Sequence, residues 1–109
     1  MSKNNYNKAI IDFDKVIELD ENFVNAYINR GICYYQINKY DNALNNINKL
    51  INEKKYKKNE IYLLRGLCLY YKKMVSKSID DFKKVINDKK YIESIPKDII
   101  NKLKKESII

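Results

Sequence analysis

The sequence predicts an all-α fold, a stacked array of antiparallel helix hairpins, and three observations carry that prediction. Asn29-Arg30-Gly31-Ile32-Cys33-Tyr34-Tyr35 recurs, lightly altered, 35 residues later as Leu64-Arg65-Gly66-Leu67-Cys68-Leu69-Tyr70. A second pattern appears in three copies. Tyr6, Ala9, Ile10, Phe13, Val16 and Ile17 share their spacing with Tyr40, Ala43, Leu44, Ile47, Leu50 and Ile51, and with Val75, Ser78, Ile79, Phe82, Val85 and Ile86. That spacing traces one face of an α-helix. A helical unit returning every 34 or 35 residues buries its apolar face against its neighbours. Finally, two Gly and one Pro in 109 residues leave little material for tight β-turns.

The elements follow in order. Residues 6–19 read as a helix with Asp and Glu on its outer face, broken near Asp20-Glu21-Asn22. Residues 24–37 form the next helix, Asn38-Lys39 the turn, and residues 40–52 the returning partner. A solvated connection over 54–58 leads to a second pair, 59–72 and 76–87, joined near Lys73. After a linker from Asp88 to Glu93, Ser94-Ile95-Pro96 looks like a helix start, because Ser caps and Pro is tolerated in the first turn. Ile95, Ile99, Ile100 and Leu103 line one face of this last helix, expected to cap the array at 94–106. The expected organisation is one domain: a partial repeat at 6–22, full repeats at 24–55 and 59–90, then the cap. Gly31 and Gly66 fall mid-helix, where Gly costs about 1 kcal/mol relative to Ala. That cost is offset when another helix must approach closely, with Ala9, Ala43 and Ser78 as the small residues on the partners.

At these residues the chain resembles the tetratricopeptide repeat family, whose signature runs W-x2-L-G-x2-Y, then A-x3-F, then P. Tyr27, Arg30, Gly31 and Tyr34 fall on the first part, as do Tyr62, Arg65, Gly66 and Leu69. Ala9 and Phe13, Ala43 and Ile47, and Ser78 and Phe82 meet the second. The chain departs from the pattern where Tyr replaces Trp, Arg replaces Leu, and Glu21, Lys55 and Lys90 replace the proline. The resemblance covers about residues 6–90. It implies a solenoid of helix hairpins in which the first helix of each pair lines a concave groove for a peptide or helix. Asn25, Ile28, Asn29, Ile32, Tyr35 and Gln36 would face that groove from one repeat, and Glu60, Leu63, Leu64, Leu67, Tyr70 and Tyr71 from the next. Some family members clamp a terminal carboxylate. Here Glu60 and Leu64 stand where the clamp's Lys and Arg would be, so the groove is expected to take an apolar or amphipathic segment instead.

Chemistry of its own is not expected. With no His, the commonest general base and neutral metal ligand are missing, and no Gly-rich phosphate loop exists. Cys33 and Cys68 lie a repeat apart, farther than a disulfide tolerates, and read as reduced core residues. Asp12, Asp14, Glu18, Asp20 and Glu21 fall on the polar side of their helix and its end. Neither cofactor nor metal is therefore expected. The formal charge of +8 is uneven: residues 1–22 carry three Lys against five acids, whereas 54–109 carry 15 Lys and one Arg against seven. The alternative function is nonspecific RNA binding by this Lys-rich half, through Lys54, Lys55, Lys57 and Lys58 around Tyr56 and through Lys89 and Lys90 beside Tyr91. Two features weigh against it: Arg is scarce, and Asn, Ile, Lys and Tyr share AT-rich codons, so base composition is the plainer explanation of the lysines. No apolar run approaches the roughly 20 residues of a membrane span, and no signal peptide is evident, which makes the cytoplasm the expected location. The array opens on the second helix of a hairpin. Leaving about 300 Å² of its apolar stripe wet would forgo roughly 7 kcal/mol. The sequence therefore anticipates either a preceding helix or self-association through Tyr6, Ile10 and Phe13.

Overall fold

The computed structural model describes residues 2–106 and 109, and all regular structure among them is helical. Six α-helices occur in chain order: α1 (Lys3–Leu19), α2 (Val24–Gln36), α3 (Tyr40–Asn52), α4 (Asn59–Tyr71), α5 (Val75–Val85) and α6 (Lys97–Lys105), with a 3-10 turn at Ile92–Ser94. They form two compact units, Met1–Lys57 and Lys58–Ile109.

In the first unit α1 packs on α2 and α2 on α3, as consecutive helices of a hairpin array do. Ser2 caps α1, its hydroxyl accepting from the Asn5 amide at 3.3 Å. The helix ends where the Asp20 carboxylate accepts from the Asn22 amide at 3.0 Å, a local turn that competes with further helix. α2 stops by a Schellman turn. Asn38 takes a left-handed φ of 64°, and the Lys39 amide reaches back to the Tyr34 carbonyl at 2.8 Å. α3 then returns along α2 and buries Ala43, Ile47, Leu50 and Ile51, an i, i+4, i+7, i+8 stripe. Only Ile10 of α1 is buried. The stripe named for self-association thus divides, because Ile10 turns inward against α2 while Tyr6 and Phe13 stay half-buried.

The second unit repeats the hairpin. α4 ends by the same Schellman geometry, with Lys73 at φ 70° and the Met74 amide on the Leu69 carbonyl at 2.8 Å. Its core joins Leu63, Ile79, Phe82, Val85 and Ile86 to Ile95, Ile99 and Leu103. α6 is therefore held by the oily face the sequence assigned to it. Its start differs from expectation. Ser94 closes the 3-10 turn, Pro96 takes the cap position without a side-chain bond, and the helix begins at Lys97. Proline restrains the residue before it to extended backbone, which is where Ile95 lies (φ −78°, ψ 133°), so no helix can start through that pair.

Gly66 has a definite reason to be glycine. A Cβ built there would stand 2.8 Å from Cε1 of Phe82, a ring with no exposure. The glycine thus makes room for the aromatic of the partner helix rather than for the small residue Ser78.

Candidate interaction surface

On α2, Asn25, Asn29, Ile32 and Gln36 are exposed and spaced by four, three and four residues, which puts them on one face. Ile28 and Tyr35 flank them, half-buried. Ile32 keeps 39% of its surface in water, so this face mixes amides with an uncovered aliphatic side chain. The equivalent positions on α4 are drier. Glu60 and Tyr71 are exposed, but Leu63 and Leu64 are each only 8% exposed. Leu63 belongs to the core of its unit, and Leu67 and Tyr70 pack against that core. The Tyr70 hydroxyl donates to the Asp98 carboxylate of α6 at 2.9 Å, a bond that raises its pKa. α6 therefore engages residues that the sequence assigned to a partner. The reason is that the apolar stripe of α6 must be covered by something, and α4 is within its own unit.

The largest feature missed in sequence is a pair of arginine clasps. Arg30 and Arg65, the only two Arg of the chain, sit 35 residues apart at equivalent positions. Arg30 donates to the Asp14 carboxylate of α1 and to the Asn46 side-chain oxygen of α3, each at 2.7 Å. Arg65 donates from Nε and from a terminal nitrogen to the two oxygens of Asp81 on α5, at 2.8 and 2.9 Å. That hydrogen bond holds the guanidinium pKa above its ordinary range, against the opposing effect of burial. Each guanidinium also lies 5.6 Å from the ring centroid of the tyrosine three residues earlier, Tyr27 or Tyr62. Lys49 and Lys54 approach the Tyr27 ring at 5.8 and 5.7 Å, and Lys84 approaches Tyr62 at 4.7 Å. The signal was present: both arginines replace an apolar residue, and each has a polar side chain 16 residues downstream.

Cys33 and Cys68 are free and buried. Burial pushes both thiols up, Cys68 to about 12, so neither is a ready nucleophile. Among the described residues no group of three His, Cys, Asp or Glu side chains could hold a metal ion, and no helix is long and apolar enough to cross a membrane.

Two family models match the chain, one described as a TPR repeat over residues 1–38 and one as a tetratricopeptide repeat over residues 24–56. The chain belongs to the tetratricopeptide repeat family. Comparison with curated proteins and with solved structures gave no match. Within this tetratricopeptide repeat protein, the family's Trp and Leu have become a Tyr–Arg pair in both full copies. The clasps explain how the hairpin tolerates the change. A cation stacked on tyrosine and tied to the partner helix takes the place of an apolar contact. Repeats of this family are non-enzymatic scaffolds that mediate protein–protein interaction.

Proposed function

We propose that this chain is a protein-binding module that takes a peptide or helix on the exposed face of α2. Asn25, Ile28, Asn29, Ile32, Tyr35 and Gln36 would supply the contacts there, and Glu60 and Tyr71, exposed on α4, are contacts that the second unit would offer by itself. The observation that carries this reading is the α2 face itself, where Ile32 is uncovered between donors and acceptors of Asn and Gln. Amides at i, i+4 and i+11 can pair with a bound backbone, while the aliphatic side chain supplies burial.

The test is binding by the full chain and by Ile32→Glu and Tyr71→Glu variants, with helicity followed by circular dichroism. Both side chains are exposed, so the fold should survive, whereas a charge at the buried Leu64 would perturb it. We expect a specific protein segment to lose at least about tenfold in affinity for Ile32→Glu, the loss of a contact of roughly 1.4 kcal/mol. Affinity should change little with salt, and heat capacity should fall on binding. Preferential binding of single-stranded RNA that weakens steeply with salt, and is untouched by Ile32→Glu, would replace this reading with the lysine-driven one.

A further inference from the structure

The second unit has an open cleft of about 580 Å³ beside α6. Ile92, Ile95 and Ile100 give it an apolar floor, and Lys97 and Lys104 stand on its wall with Glu93 and Asn101. Two turns of helix separate those lysines, about 10 Å along the axis. Lys102 and Lys105, also exposed, extend the positive field of the same helix.

The first unit carries a projection of opposite character. At the corner between α1 and α2, Leu19 is 89% exposed and Phe23 47%. Glu18, Asp20 and Glu21 lie within the same six residues of sequence, and the Lys54 ammonium is brought to the segment, where it donates to the Asn22 side-chain oxygen at 3.1 Å. Asp20 is engaged in the corner's own turn, whereas Glu18 and Glu21 are exposed side chains pointing to solvent.

We infer that the Leu19–Phe23 corner of one copy seats in the Lys97/Lys104 cleft of another, so that the chain associates head to tail. This rests on the proposed role as a binding module and names one partner for it, a second copy of the chain. Leucine or phenylalanine fills the isoleucine floor, and Glu18 and Glu21 meet the two lysines of the wall. Charge complementarity of this kind selects orientation as much as it adds affinity. Because the two surfaces differ, the contact is heterologous, and a pair of copies keeps one free corner and one free cleft. Association by this route grows with concentration and does not stop at a dimer unless the rotation closes a ring.

Light scattering and sedimentation of the full chain up to millimolar concentration test this. The wild type should show a weight-average mass that climbs with concentration and falls with added salt. Glu18→Lys/Glu21→Lys and Lys97→Glu/Lys104→Glu should each weaken association at least tenfold while keeping the far-ultraviolet helix signal. All four side chains are exposed, so refolding artefacts are not expected. Mixed in equal amounts, the two double variants should associate again, because reversed corners then face reversed clefts. Leu19→Asn should weaken association of an otherwise unaltered chain. A wild type that stays strictly monomeric overturns the inference. So does self-association that both double variants retain, or a mixture that stays dissociated. Ile32→Glu should leave the self-association intact, which separates failure of this contact from failure of the α2 face.

Discussion

At the scale of single residues, the two clasps are unequal, and the inequality is informative. Arg65 spends both Nε and a terminal nitrogen on the Asp81 carboxylate. Arg30 finds only an amide oxygen at the equivalent place, Asn46, so its Nε and the Asn46 side-chain nitrogen are both buried without a partner. Each such orphan costs about 1–3 kcal/mol. Asn46→Asp should copy the Arg65 arrangement, replacing a stranded donor by an acceptor for Arg30 Nε. We expect the variant to be more stable by about 1–2 kcal/mol in urea unfolding, the net gain of one charge-assisted bond over the cost of burying a carboxylate. Equal or lower stability would mean that Asp14 already satisfies the Arg30 charge. Cys68 supports a pH prediction. Its thiol is raised from 9.0 to about 12 in the fold, so above pH 9 the unfolded chain loses its proton while the folded chain keeps it. Stability present below pH 9 is therefore lost as pH rises toward about 12, at up to about 1.4 kcal/mol per pH unit. Cys68→Ala should show a shallower alkaline decline than wild type, and native Cys68 should resist thiol reagents until the chain unfolds.

At the scale of elements, apolar periodicity located every helix, because each one must turn a stripe toward a neighbour. α3 occupies the residues assigned to it, and α2 and α4 end one residue earlier than expected. α1 begins three residues sooner, at Lys3, since Lys3, Asn4 and Asn5 carry no apolar period and only the Ser2 cap extends the helix that far. The 3-10 turn before α6 was not legible. Ser94 resembles a cap in sequence, and only the position of Pro96 rules that out. Joints were partly legible. Asn38 is a residue type that tolerates left-handed backbone, but Lys55 (φ 55°) and Lys73 (φ 70°) are not. Lys73 is exposed, and its side chain is not what the turn requires. Lys73→Gly should therefore stabilise the α4–α5 hairpin by about 0.5–1 kcal/mol, read as a higher urea midpoint at unchanged m-value.

At the scale of the whole molecule, composition foretold the charge asymmetry. Met1–Lys57 carries nine basic side chains against seven acidic, and Lys58–Ile109 thirteen against seven. The repeat itself was legible from the 34- and 35-residue recurrence of the apolar stripe and of Gly31 and Gly66, though the neighbour that Gly66 admits is the Phe82 ring and not the small residue Ser78. The candidate face was legible only in part. Asn25, Asn29, Ile32 and Gln36 are exposed as the family pattern implies, whereas Leu63, Leu67 and Tyr70 are engaged within their own unit. Sequence cannot separate those cases, since a leucine facing a ligand and a leucine facing a terminal helix share one spacing. The arginines stayed hidden for a related reason: periodicity scores apolar residues, and a polar tie at an apolar position registers only as a departure.

The Arg30 clasp spans three helices, α1 through Asp14 and α3 through Asn46. The motif that recurs along the chain is thus smaller than the piece that can be transplanted. An excised copy beginning at residue 24 would carry the cation away from the Asp14 carboxylate, so chimeras built from this sequence should be spliced ahead of Asp14.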